Sequence, residues 1–265
     1  VSSKQDSIQK TLLVAVLLCL VCSVIVAGAA VGLRQKQNEN KANDKKAAVL
    51  QAAGLYQSDI PVAEQFKQVT TRIVNLEAGR FATDAELDEI RAANLNPDNF
   101  DQRKSSKVPA LSRKLSGAED KASIKRLEKY AAVYMIEKNG AIDTLVLPVH
   151  GYGLWSTLYG FIALEGDMET IAGLGFYSHA ETPGLGGEVD NPKWKGLWPG
   201  KKLHNAKGDV AITVVKGAAA EGNPNQVDGL SGATLTSRGV DNLVKFWVGD
   251  MAFGKLLTQL KGQGA

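Results

Sequence analysis

The sequence predicts an α+β protein: a single N-terminal transmembrane helix followed by a mostly antiparallel β-sheet domain with flanking helices. Three observations predict it. Thr11 to Leu33 carries no charged residue, β-rich runs cluster between residues 131 and 217, and helical patterns lie before and after that cluster. Segregated runs point to α+β rather than to an alternating parallel sheet. The 265 residues are enough for one or two domains with a buried core. With 44% apolar and 22% charged residues a wholly disordered chain is excluded, and a net charge of +3 is too weak to argue for nucleic acid as partner.

The first element is the apolar run. At about 1.5 Å per residue, Thr11–Leu33 makes a helix of roughly 35 Å, enough to cross a hydrocarbon layer of about 30 Å. A cleaved signal peptide competes, with Ala27-Gly28-Ala29 as small residues, but its apolar core is shorter, about 7–15 residues. A lipoprotein site at Cys22 has bulky Val21 before it. Lys4 and Lys10 precede the run, and Arg34, Lys36, Lys41, Lys45 and Lys46 follow it. Counted naively, that puts the large domain in the cytoplasm, yet long domains translocate largely regardless of charge. The resulting organisation is a tail at 1–10, a transmembrane helix at 11–33, a juxtamembrane helix and linker at 34–60, and a soluble domain at 61–265.

The Ala-rich stretch after residue 46 predicts helix ending at Gly54. Pro61 to Phe66 reads as a short helix, because Pro suits a helix start. Thr70 to Leu76 reads as a strand. Residues 98–128, dense in charge, read as a solvated excursion with one helix near Glu119–Lys129. The runs 131–137 and 141–149 flank Asn139-Gly140, a hairpin signal. Two more strands, 156–167 and 171–180, join near Met168-Glu169, and 209–217 reads as another. After Thr236-Ser237, apolar residues at Val240, Leu243, Val244, Trp247, Val248 and Met251 trace one face of a helix. A short helix at Lys255–Lys261 closes the chain.

Chemistry is narrowed by scarcity. The two cysteines, Cys19 and Cys22, both sit in the apolar run. The rest of the chain therefore has no disulfide framework and no cysteine-ligated zinc or iron–sulfur site. Cys-x-x-Cys in the span reads as small residues on a packing face, with a metal or redox site shared with a partner protein as the sharper alternative. The three histidines, His150, His179 and His204, carry no metal motif. The informative stretch is Asp228-Gly229-Leu230-Ser231-Gly232-Ala233-Thr234-Leu235-Thr236-Ser237, a small-residue loop running into a helix. Gly229 and Gly232 admit close backbone approach, and the helix start favours a phosphate. Ordinary capping explains the same residues. Neither a Walker loop nor a Rossmann fingerprint is present.

Asp228-x-x-Ser231-Gly232-Ala233-Thr234 resembles the flavinylation motif of FMN-binding domains, whose final threonine carries FMN through a phosphoester bond. Gly151-Tyr152-Gly153-Leu154-Trp155-Ser156 is similar to that family's glycine–tryptophan segment. Glu181-Thr182-Pro183-Gly184-Leu185-Gly186 is similar to its Glu-Thr-Pro-Gly-Leu-Gly loop. The three in this order, behind one apolar helix, resemble the family of C subunits of Na+-translocating NADH:quinone oxidoreductases over the whole chain. The resemblance implies covalent FMN on Thr234, other subunits of a respiratory complex as partners, and a bacterial inner-membrane location with the flavin domain on the periplasmic side.

On that resemblance, the cofactor-facing set is Asp228, Ser231, Gly232, Ala233, Thr234, Thr236, Gly153, Leu154, Trp155, Ser156, Glu181, Thr182, Gly184, Leu185 and Lys216. Trp155 contacts the ring, and Ser156 donates to a ring carbonyl. Thr182 and the Gly184 amides meet its polar edge, with Leu185 as an apolar wall. Asp228 caps the loop's amides or serves a transferase, and Lys216 supplies positive charge. A threonine hydroxyl is a poor nucleophile at neutral pH, so attachment implies a separate flavin transferase presenting a flavin donor with a divalent metal, and the resemblance implies FAD as that donor. With no nicotinamide fingerprint and no catalytic residue in evidence, the expected role is single-electron relay. The alternatives are the flavin subunit of the related ferredoxin:NAD+ oxidoreductase, a cofactor-free membrane-anchored binding module, and an enzyme using FMN non-covalently.

Overall fold

The computed structural model describes residues 8–263. Residues 1–7 of the expected tail, Lys4 among them, lie outside the described residues. The chain divides into two compact units, Val1–Asp44 and Lys45–Ala265. In the first, helix α1 (Ile8–Ala52, running on into the second unit) is exposed throughout and long and apolar enough to cross a membrane. Ile8, Gln9 and Lys10 are thus helical rather than tail, and there is no break between Leu33 and Arg34. Arg34, Gln35, Lys36, Gln37 and Glu39 there are good helix formers, and no Gly or Pro interrupts the segment that follows. α1 stops where expected: Gly54 takes φ +69°, and Leu55 N–H bonds back to the Leu50 carbonyl at 2.8 Å.

In the second unit α2 (Val62–Gln65) follows Pro61, and β1 (Val69–Asn75) follows α2. β2 (Arg80–Phe81) and α3 (Asp84–Ala92) come next; α3 is started by a reciprocal capping box of Thr83 and Glu86. The short α4 (Gln102–Ser105) is capped by Asp101. β3 (Ser112–Lys114) pairs antiparallel with β4 (Arg126–Glu128).

The segment expected as a helix at 119–129 is therefore a turn and a strand. The Asp120 carboxylate accepts from the Ile124 and Lys125 amides at 2.7 and 2.8 Å, and Ser123 and Lys125 sit in the left-handed region, which ends any helix. Nor is 98–128 merely a solvated face. Phe100 and Leu111 are buried with Ile73, Ile90 and Tyr130.

The main sheet adds β5 (Tyr130–Lys138), β6 (Ala141–Tyr152), β7 (Thr157–Glu165) and β8 (Ile171–Ser178). Its order is β2-β1-β5-β6-β7-β8, with every neighbour antiparallel. Asn139 and Gly140 have φ of 54° and 80°, the geometry of a two-residue hairpin turn. Alternation sorts the strands onto two covered faces. Val133, Met135, Leu145, Leu147, Leu158 and Ile162 join the core beneath the C-terminal helices. Tyr134, Val146, Phe161 and Ala163 pack on Ala48, Val49 and Ala52.

After α5 (Pro192–Lys195) the expected strand at 209–217 shrinks to β9 (Thr213–Val214), which pairs parallel with β10 (Gln226–Val227) outside the main sheet. The Val214 amide bonds instead to the Asp241 carboxylate at 2.9 Å. α6 (Thr234–Val248) begins earlier than the apolar pattern suggests and ends before Met251, while α7 (Gly254–Gln263) closes the described chain. The α6 face of Val240, Leu243, Val244, Trp247 and Val248 is buried in the core.

Candidate functional site

The three motif segments meet at one carboxylate. Glu181 is 5% exposed, in the loop after β8. Its Oε1 accepts from the Trp155 and Ser156 amides at 3.0 Å each and from Ser156 Oγ at 3.2 Å. The Leu154 amide lies 3.2 and 3.3 Å from its two oxygens, and Thr236 Oγ1 donates to Oε2 at 2.8 Å. Burial opposes ionisation of Glu181. The Thr236 hydroxyl and the amides of Trp155, Leu154 and Ser156 outweigh it and hold the carboxyl below the usual carboxylate range. Close approach fixes the glycines around it. A Cβ at Gly153 would stand 2.7 Å from Glu181 Oε1, and one at Gly239 would stand 2.5 Å from the Tyr152 carbonyl. α6 therefore lies directly against the glycine–tryptophan segment.

Several expected contacts go to protein instead. The Thr236 and Ser156 hydroxyls each donate to Glu181, and Ser156 Oγ also accepts from the Ala180 amide at 2.8 Å. Their role is to hold the segments together. Asp228 Oδ1 accepts from the Ala219 amide at 2.8 Å, so it caps a neighbouring loop. Thr182 and Leu185 close a Pro-Gly turn, Leu185 N–H to the Thr182 carbonyl at 3.1 Å, with Gly184 at φ +75°.

What is left facing outward is consistent with a ligand. The residue at the N-cap of α6 is Ala233, with no side-chain cap, so the Ser231 and Thr234 hydroxyls are not used for capping. Both residues are exposed, and neither hydroxyl has a partner among the described residues. Trp155 is 67% exposed, which removes its core reading, and Leu154, Leu185, Tyr152 and Leu235 are exposed with it. Gly232 (φ +71°) lies against Leu185, where a Cβ would be 3.0 Å from Cδ2. A recess of about 220 Å3 is lined by Thr234, Lys216, Gly217, Gly229, Ser237 and Arg238 among others. Arg238 does not stand out in the sequence, because a helix placed after Ser237 hides that it stands one turn from Thr234. A larger recess of about 480 Å3 beside Leu76, Ser112, Leu127 and Lys255 contains no motif residue. The convergence of motifs, not size, marks the site.

Cys19 and Cys22 are both exposed on α1. Among the described residues no group of three or more His, Cys, Asp or Glu side chains is placed to hold a metal ion. His179 and His204 pair with Asp190 and Glu169 at 2.8 and 2.7 Å.

A second buried carboxyl belongs to no motif. Glu128 is 1% exposed, and among the described residues neither of its oxygens has a partner with hydrogen-bond geometry, its own amide and Gln102 being its nearest donors; buried atoms of Gln102, Arg103 and Ser105 are also unpartnered. His150 Nε2 is 3.5 Å from Glu128 Oε1, and the Arg103 guanidinium lies 3.4 Å from the centre of the Tyr159 ring that stacks on His150. Burial pushes the Glu128 carboxyl up to about 8, against its own amide and Gln102, while burial and then Arg103 push His150 down to about 3. Burial thus favours the neutral form of each.

Comparison with known proteins agrees with the motifs. The FMN-binding domain family matches residues 153–249. The Na(+)-translocating NADH-quinone reductase C subunit of Pseudomonas aeruginosa is 52% identical over 266 residues, covering 98% of each chain. That of Vibrio campbellii is 46% identical over 264 residues, covering 99% of each. The crystal structure of Shewanella oneidensis NqrC superposes with a TM-score of 0.74 at 36% identity, over 84% of this chain and 99% of that one. The corresponding C subunit of Parabacteroides distasonis gives 0.61 at 26% identity, over 88% and 98%.

Proposed function

The chain belongs to the family of C subunits of Na+-translocating NADH-quinone reductases, and from that premise we propose that it is a membrane-anchored protein with FMN esterified through its phosphate to Thr234. The observation that carries the reading is the exposed, unpartnered Thr234 hydroxyl at the point where three separate segments are clamped by Glu181. The residues fit the group. There is a free hydroxyl for the phosphate, unpaired cations beside it, and an exposed aromatic with aliphatic neighbours for a planar ring. When bound, FMN supplies one-electron chemistry that this chain's own side chains lack.

The chain's contribution is placement. Thr234 would tether the group, the exposed Trp155, Leu154 and Leu185 would supply apolar surface for the ring, the Thr182–Gly184 turn would present polar backbone, and Glu181 fixes the spacing of the segments that carry them. Electrons pass between neighbouring centres of the complex formed with the other subunits, and a flavin transferase makes the attachment. The α1 segment at 11–33 is the bilayer anchor, 34–60 the juxtamembrane helix and linker, and 61–265 the FMN-binding domain, on the periplasmic side of the inner membrane. Cys19 and Cys22 face lipid or a partner helix.

Intact-mass measurement of the mature protein tests the reading. One FMN less one water is expected on the peptide holding Thr234, absent in Thr234→Val, with fluorescence staying on the polypeptide in a denaturing gel. A bare Thr234 in protein matured with the transferase overturns it.

A further inference from the structure

We propose that Arg238, with Lys216, is the seat of the flavin phosphate, and that it holds the diester against the foot of α6. The inference rests on the reading that Thr234 carries FMN, and it assigns a task to a residue outside the motifs. Arg238 follows Thr234 by four positions in α6, which puts the two side chains on one face of the helix, one turn apart. Both line the same recess, and Lys216, just past β9, lines it from a separate part of the chain. Arg238 and Lys216 are exposed, and neither has a hydrogen bond or ion pair among the described residues.

The nearby acids are already engaged. Asp241, in the same recess, accepts from Thr213 Oγ1 at 2.8 Å and from the Val214 amide at 2.9 Å with Oδ1, and pairs through Oδ2 with Lys245 at 2.9 Å. Asp228 is held by the Ala219 amide. The other cation of α6's recess side, Lys245, is thus neutralised, while Arg238 and Lys216 are not. Two unmatched positive charges therefore border the hydroxyl that receives a phosphate.

The exposed aromatic and aliphatic side chains lie outside this recess. Trp155, Leu154 and Leu185 are absent from its lining, which sets Lys216, Arg238 and the Thr234 and Ser237 hydroxyls beside Val214, Val215 and Leu230. The free cations and the exposed Trp155, Leu154 and Leu185 thus stand in different places, the first suited to a phosphate and the second to a planar ring. A phosphodiester keeps one negative charge and two free oxygens, a geometry that a planar guanidinium meets with paired N–H donors and that an ammonium meets less specifically.

Phosphorus NMR of the full-length protein in a phosphorus-free detergent, with intact mass measured on the same samples, tests the seat. Wild type and Arg238→Lys, Arg238→Gln and Lys216→Gln variants, all coexpressed with the transferase, are compared. All should carry the mass of one FMN less one water. In Arg238→Gln the diester resonance should move from its native position toward that of the urea-denatured protein, with a smaller move in Lys216→Gln and the smallest in Arg238→Lys. A fully modified Arg238→Gln whose resonance coincides with wild type overturns the seat and leaves Thr234 as the attachment point. An Arg238→Gln that arrives unmodified beside a modified wild type also overturns it, because the residue then serves attachment rather than holding. Wild type without the added mass instead overturns the attachment reading itself.

Discussion

Glu181 and Glu128 are the same residue, each with little accessible surface in one domain but Glu128 set far deeper, and their carboxyls are shifted in opposite directions. Glu181 sits among N–H and O–H donors from three segments and is held ionised; among the described residues Glu128 has no partner with hydrogen-bond geometry and is held neutral. Burial raises both, more at the deeper Glu128, and only Glu181 has the donors that outweigh it. The contrast also separates two uses of a buried acid. Glu181 is a clamp whose charge is the reason separate loops converge, whereas Glu128 is a polar group stored in a core, stacked about with His150, Tyr159 and Arg103.

The comparison breaks most visibly at the clamp. Glu181→Ala leaves several donors facing an empty space, and the expected loss of unfolding free energy is about 3 kcal/mol or more. Urea denaturation followed by tryptophan fluorescence measures it; a loss below about 1 kcal/mol would show that the loops hold themselves. Thr236→Val removes one charge-assisted bond and should cost about 2 kcal/mol in the same assay. A cost equal to that of Glu181→Ala would mean that Thr236, not the carboxylate, is the centre of the arrangement.

The smallest effect lies at Glu128 and depends on pH. A carboxyl raised to about 8 when folded, from 4.5 when unfolded, binds its proton more tightly in the native state, so stability falls as pH rises through that window. His150, lowered from 6.5 to about 3, acts in the reverse sense below pH 6.5. Between pH 6.5 and 8 Glu128 is therefore the one of the pair still titrating. Over that interval the stability of Glu128→Gln should rise relative to wild type by about 1.6 kcal/mol. A pH-independent difference between the two proteins would sink the assignment of a neutral Glu128.

Much of this was legible from local chemistry. Asn139-Gly140, Gly54 and the alternating runs of β5 to β7 are signals carried by neighbours in sequence, and they fold as they read. Where the fold departs, a side chain competes with the backbone. Asp120 turns the expected helix at 119–129, and Asp241 takes the Val214 amide on the edge of β9 away from β10. The capping box of Thr83 and Glu86 was present in the sequence and would have found α3.

The site divides in the same way. Its three segments stand out as motifs, but nothing in their spacing reveals that Glu181 is their common acceptor, since Thr236 lies far away along the chain. Hydroxyls that look suited to a cofactor, on Ser156 and Thr236, are engaged with that carboxylate. Arg238 becomes visible only once α6 is known to begin at Thr234.

One carboxylate answering to three loops has a consequence for how the protein can change over generations. No single loop can gain or lose a residue without pulling its donors out of reach of the other two, so their lengths are inherited together. Insertions that surface turns elsewhere would tolerate are barred here, and drift in this domain must run through substitution at fixed length.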